Sequence, residues 1–259
     1  MIILSIDTDW APEAATRAVL EKVRALGLKV TVFFSTPSPT PYWPELEPGC
    51  HPDLSRRRTA AEDARPLTGM ATLEHDLEVD RAEGQILAAY RRAFPEARAL
   101  RTHRFYWHSD LSRNLAGHGF WHDSSMILPY HPGLKGFQVG RLKRWPVWAS
   151  DHLHLARSFP LDRLAMPHLN DPGLKIFCFH VAYLYLNAVS LNDFNMVKQR
   201  LADEDWRPPA GRGPGVWNLF ELLAEKVYRR SGGCWLSDLP PEMIVKNKEL
   251  DDEDSVPGI

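Results

Sequence analysis

The chain has 259 residues, enough for one large α/β barrel or two modest domains and enough to bury a core without disulfide or metal staples. Thirty-one Lys and Arg against 33 Asp and Glu leave a net charge of −2, which excludes a broad basic face for nucleic acid. Hydrophobic residues at 44% and charged residues at 25% exclude general disorder.

Met1 to Ile6 is a continuous apolar run followed by Asp7, Thr8 and Asp9, which predicts a buried parallel strand with a polar C-terminal end. Pro12 suits a first helical position, Val19, Leu20, Val23 and Leu26 share a face, and Gly27 ends the pattern, so a helix is expected from Pro12 to Leu26. Leu28 to Phe34 resumes as a strand and completes a βαβ unit. Prolines 37, 39, 41 and 44 make 36–47 an extended loop leading to Gly49, Cys50 and His51. Residues 55–72 read as a polar insertion, and Glu78 to Phe94 as a helix with Ile86, Leu87 and Tyr90 on its apolar face. A short strand, Ala97 to Leu100, leads to Arg101. Further strands are expected near 119–122 and 136–142, and the strongest, Leu174 to Phe179, ends in His180. Pro208 to Gly215 reads as a mobile loop able to cover a cleft. Val216, Phe220, Leu223 and Val227 mark a last amphipathic helix, stopped by Gly232 and Gly233, and the acidic tail 249–259 is expected to fray.

Alternating strands and helices without a linker or repeat favour a single-domain βα barrel over residues 1–235, with 236–259 as a C-terminal extension. Three cysteines at wide spacing, with no CxxC pair, fit a reducing compartment. No secretory pattern opens the chain and no apolar run reaches 18 residues, so a cytoplasmic location and no membrane span are expected.

The chemistry-bearing residues stand at predicted strand ends. Asp7 and Asp9 are two apart, so an extended backbone points both carboxylates to the barrel mouth, where barrel active sites are built; a strand-ending turn with a helix cap fits the same pair. His180, Arg101 and His103 join the same rim, and His51 follows the proline-rich loop. Asp151-His152-Leu153-His154 offers a competing HxH metal spacing if it lies on a strand. His118 and His122 are four apart, but the neighbouring glycines favour a loop into a strand. Trp10, Trp43, Tyr106 and Trp148 lie near rim segments where aromatics stack on sugar rings, with buried packing the commoner role for any single one.

Five segments in order, Ser5 to Trp10, Gly49 to Leu54, Arg101-Thr102-His103, Gly119 to Ser125 and Phe177 to His180, resemble the polysaccharide deacetylase superfamily. This is the NodB-homology or carbohydrate esterase family four, and the likeness is to its divergent WbmS-like branch, met with O-antigen and surface-polysaccharide loci. The resemblance implies a distorted (β/α)7 barrel that binds a divalent metal, zinc being the expected ion. It implies Asp7 as general base, Arg101 as its brace and His180 as general acid, with Asp9 and His51 as metal ligands. Trp10, Tyr106, Trp148 and Asp151 are then expected at the substrate wall, the last two near the family's tryptophan-bearing segment.

One departure stands out. The family's second metal histidine lies four residues after the first, where this chain has Ser55. Either His103 supplies the third protein ligand, or ordinary metal binding is lost; His75 fits less well. The implied function is metal-dependent deacetylation of an N-acylated sugar or polysaccharide precursor. Hydrolysis of a non-sugar amide and non-catalytic carbohydrate binding are the alternatives.

Overall fold

The computed structural model describes residues 1–36, 45–54, 82–201, 203, 206–208, 213–231 and 233–245. Its strands are β1 (Ile2–Asp7), β2 (Val30–Phe34), β3 (Leu46–Cys50), β4 (Ala99–Leu100), β5 (His122–Asp123), β6 (Phe137–Val139), β7 (Leu142–Arg144), β8 (Val147–Ser150) and β9 (Lys175–His180). Its helices are α1 (Glu13–Ala25), α2 (82–93), α3 (Leu111–Gly117), α4 (Asp151–Ala156), α5 (Val181–Leu186), α6 (Leu191–Val197) and α7 (Val216–Ser231). None of the described helices is long and apolar enough to cross a membrane.

The strands form one sheet in the order β6-β7-β5-β4-β3-β2-β1-β9-β8, parallel throughout except for the β6–β7 hairpin. The sheet curls so that the stretch after β5 reaches β8. Beyond β5 the chain runs along β8: Ile127 bridges Val147, Leu128 N donates to Val147 O at 2.9 Å and Tyr130 N to Trp148 O at 2.9 Å. The ring therefore holds seven strands, β1, β2, β3, β4, β5, β8 and β9, and the fold is a distorted (β/α)7 barrel.

Strand periodicity sorts the two cores. Ile2, Leu4 and Ile6 of β1 face outward, where Val19, Leu20 and Val23 of α1 and Phe220 and Leu223 of α7 cover them. Ile3 faces inward with Phe33, Ala99, Trp145, Val147, Ile176 and Cys178. Ser5 and Asp7 continue that inward row up to the C-terminal rim.

The barrel floor is closed by a segment expected to be an extension. Leu236 and Leu239 insert into the interior core, and Leu236 N and Ser237 N donate to the buried Glu47 carboxylate at 2.9 and 3.2 Å. Gly136 and Ile244 add a parallel bridge. Over its described part, 236–245 is thus packed into the barrel rather than appended to it; the acidic tail 249–259 lies outside the described residues.

Other departures have local causes. The strand β3 begins at Leu46, inside the stretch read as loop, because Pro48 stands where β3 pairs with β2 alone, before Gly49 meets Ala99 of β4. The single strand expected over 136–142 is a hairpin that turns at Gly140, φ 56°. The strand at 119–122 is confined to His122 and Asp123, after Gly119 takes φ 77°. Short helices α3, α4, α5 and α6 and strand β8 were not expected. Residues 37–44, the insertion 55–72, His75, the first turn of the helix expected from Glu78 and residues 209–212 of the loop 208–215 lie outside the described residues.

Candidate active site

The rim is assembled by register. Asp7, the last residue of β1, lies opposite Phe33 on one side and His180 on the other. Past the formal strand ends the ladder continues: His51 N donates to Phe34 O at 2.8 Å, Arg101 N to Cys50 O at 2.9 Å and His103 N to Pro52 O at 2.9 Å. These bonds set His51, Arg101 and His103 side by side over the barrel mouth.

Arg101 is fully buried and organises the floor of the site. Its Nη1 donates to Asp7 Oδ1 at 2.7 Å, and its Nη2 donates to Ser5 Oγ at 2.9 Å and Ser124 Oγ at 3.0 Å. The guanidinium rests on the Phe33 ring, 4.2 Å from its centroid. Phe33 reaches that position because Gly49 has no side chain: a Cβ there would lie 2.5 Å from the ring. The Arg101 carbonyl accepts from His51 Nδ1 at 2.7 Å. A carbonyl only accepts, so Nδ1 carries a proton and Nε2 is the ring atom left for another partner.

His51 Nε2 faces the two carboxylates. His51 Nε2 is 3.8 Å from Asp7 Oδ2 and 3.7 Å from Asp9 Oδ1. His103 Nδ1 is 3.5 Å from Asp9 Oδ2. Among the described residues neither Asp9 oxygen accepts a hydrogen bond, although both are buried. A buried carboxylate without donors is costly unless a cation or a protonated neighbour serves it. Asp9, His51 and His103 each offer a ligand atom within 4.8 Å of the others, the oxygen and nitrogen donor set that divalent zinc accepts.

Asp7 behaves differently. Burial favours its neutral form, but Arg101 above all, with His51 and His180, outweighs burial and holds its pKa below the usual carboxylate value. Its Oδ2 accepts from Cys178 Sγ at 3.2 Å. Asp7, Cys178 and His180 also approach one another within 4.8 Å, but burial and then Asp7 push the Cys178 thiol well above its ordinary value, so it stays a donor. Burial lowers the His103 pKa against the pull of Asp9, which favours the neutral imidazole that a metal needs.

His180 closes the opposite flank. Its Nδ1 lies 2.6 Å from Asp151 Oδ1, and its backbone N donates to Asp151 Oδ2 at 2.6 Å. Burial alone would discharge the ring, yet Asp151, aided by Asp9 and Asp7, raises its pKa to about 10. The Trp10 indole stacks on this ring, centroids 5.0 Å apart.

Asp7, Asp9, Trp10, His51, Arg101, His103 and His180 are therefore brought together. Three expectations are corrected. Trp148, expected at the substrate wall, is fully buried between Tyr130 and Phe177 and donates its indole N–H to His131 O at 3.0 Å; it belongs to the core. Asp151, expected beside it, is buried with its oxygens taken by His180 and by His152 N, so it braces His180 instead of meeting a ligand. The HxH segment lies on α4, not on a strand, so its rings diverge: His152 Nδ1 is 3.1 Å from Tyr183 Oη and His154 Nε2 is 3.0 Å from Pro160 O. Tyr106 ends the 3-10 turn His103–Phe105, its ring 5.8 Å from that of His108, which Glu83 holds at 2.9 Å. Cys178, Ser5 and Ser124 were not anticipated. Ser5 and Cys178 sit two residues before Asp7 and His180 on the same strand faces, a parity visible in the sequence.

A seven-stranded barrel whose rim carries an arginine-held carboxylate facing an aspartate-held imidazolium has the equipment of an acid–base hydrolase. The chain belongs to the WbmS-like family of polysaccharide deacetylases, whose sequence profile matches residues 4–198. Among solved structures it is similar to WbmS of Bordetella bronchiseptica, described as a candidate polysaccharide deacetylase involved in O-antigen biosynthesis. The TM-score is 0.67 at 18% identity, over 87% of this chain and 90% of that one. At that identity the likeness concerns the fold. A family 4 carbohydrate esterase from Streptomyces lividans in complex with acetate overlaps at TM-score 0.43 and 12% identity, over 90% of each chain. A sequence search of curated proteins finds no significant match.

Proposed function

We propose that the protein is a metal-dependent deacetylase that hydrolyses the acetamido group of an N-acetylated sugar, in a cytoplasmic precursor of a surface polysaccharide of the O-antigen kind. The observation that carries this reading is Asp9, with two buried oxygens that accept no hydrogen bond among the described residues and face two imidazoles. That orphaned carboxylate fits a divalent cation, zinc by its donor set, held by Asp9, His51 and His103. When bound, the cation supplies Lewis acidity that polarises the amide carbonyl and eases deprotonation of water.

The chain's own groups supply the proton transfers. Asp7, ionised and aimed by Arg101, takes a proton from the attacking water. His180, an imidazolium oriented by Asp151, gives its Nε2 proton to the nitrogen as the C–N bond breaks. The carbonyl carbon leaves as acetate, and the sugar keeps a free amine. Trp10, exposed at the rim, and Tyr106 offer faces on which a sugar ring can stack.

The test is acetate release, with appearance of the amine, from N-acetylated oligosaccharides and from nucleotide-linked or lipid-linked N-acetyl sugars, using zinc-loaded protein. The reading expects turnover that is lost in Asp7→Asn, Asp9→Ala and His180→Ala. Undiminished turnover in these folded variants would refute the assigned roles.

A further inference from the structure

Trp10 is a poor local choice on two counts. Its φ of 63° lies in the left-handed region, where a bulky side chain crowds its own backbone and glycine or asparagine is the ordinary occupant. Its indole is also 44% exposed, so burial does not favour a large apolar ring here. Strain of this kind persists where surrounding contacts over-determine the conformation, and it gathers at working sites.

Those contacts are specific. The indole lies nearly parallel to the His180 imidazole, with centroids 5.0 Å and planes 12° apart. It also meets His103 edge to face at 6.0 Å, Tyr183 edge to face at 6.3 Å and Phe194 at 5.6 Å. The His180 ring is otherwise tied, among the described residues, by the bond from Nδ1 to Asp151 Oδ1. One such bond fixes the direction of a ring atom but leaves the ring free to rock about the bond axis, since the torsion at the ring is broad. A plate against one face removes that freedom, and Tyr183, edge-on at 5.8 Å, borders the adjacent side.

We propose that Trp10 is a positioning residue: its indole fixes the plane of the His180 ring and keeps Nε2 at the angle from which it exchanges a proton. An imidazolium gains from the negative face of an indole, so the stack favours the charged ring that the reaction uses. What the ring is held for rests on the deacetylase reading; that Trp10 holds it does not.

The test uses zinc-loaded protein labelled at histidine, with His180→Gln identifying the His180 ring resonance. Trp10→Gly removes the plate and suits the left-handed backbone, and Trp10→Phe keeps an aromatic face. The proposal expects the His180 ring protons, shielded by the indole ring current in the native protein, to move downfield in Trp10→Gly and to stay shielded in Trp10→Phe. With N-acetylchitotetraose as probe, kcat in Trp10→Gly falls about tenfold, over and above any rise in KM from the lost stacking face, and recovers in Trp10→Phe. An unmoved His180 resonance in folded Trp10→Gly overturns the proposal, as does a higher KM with unaltered kcat, which makes Trp10 a substrate ledge only. A displaced resonance in a chain whose native form releases no acetate from any N-acetylated substrate tried would leave the positioning role standing and remove the deacetylase reading.

Discussion

Asp7 and His180 face each other across β1 and β9 with opposite charges, and each owes its charge to one buried partner. The sign of each effect follows from the direction of its shift. The raised His180 pKa makes its pairing with Asp151 fully effective below 6.5 and lost as pH rises through about 10. The native alkaline limb of kcat/KM is therefore expected near pH 10, and Asp151→Asn should bring it down toward the ordinary histidine range; an unmoved limb would show that Asp151 is not the cause. The lowered Asp7 pKa works the other way, its pairing with Arg101 being full above 3.8 and lost only as pH falls through the lower folded value. Arg101→Met should cost about 4 kcal/mol, because it leaves a buried carboxylate uncompensated. Urea unfolding measures this, and a loss under 1 kcal/mol would mean that Asp7 finds another partner. Asp7 and His180 were legible because each is a polar group that ends an apolar run, and Arg101 because it follows the short strand expected over Ala97 to Leu100. Asp151 was misplaced because its role depends on β8 lying beside β9, a pairing between segments that local sequence does not encode.

At the level of the elements, the site is only as well placed as the strands beneath it. The sequence of contacts runs from Gly49 of β3 to Phe33 of β2, then to the Arg101 guanidinium and to Asp7 of β1. Gly49→Ala should therefore lower stability by about 1–3 kcal/mol through overpacking and weaken activity beyond that. Differential scanning calorimetry together with kcat reads both effects, and a fully native melting temperature would show that Phe33 has room to yield. Strands β1, β2 and β9 could be read directly, since buried parallel strands are continuous apolar runs. By contrast β3, with the sequence Leu46-Glu47-Pro48-Gly49-Cys50, carries neither an apolar run nor alternation. Its strand character comes from pairing with β2 on one edge and, for its last two residues, β4 on the other. The two-residue strands β4 and β5 overlap the short strands expected over Ala97 to Leu100 and near 119–122, although neither is long enough to show a period.

For the molecule as a whole, a seven-stranded ring needs its floor closed, and Leu236 and Leu239 close it while the backbone around them serves the Glu47 carboxylate. A chain ending at residue 233 should lose about 4 kcal/mol or more, from two exposed leucine sites and an unserved buried carboxylate. A urea midpoint equal to that of the full chain would show the plug to be dispensable. The (β/α)7 barrel itself was legible from the alternation of strands and helices, whereas the plug was not, because its two leucines show no period and their burial depends on the completed barrel. The measurement that bears most directly on the whole account is the zinc content of the purified protein, native, Asp9→Ala and His103→Ala, by elemental analysis after dialysis against trace zinc. One zinc per chain in the native protein, lost in Asp9→Ala and in His103→Ala while both variants stay folded, is the predicted result; a native protein that retains no metal, or variants that retain it in full, would contradict it.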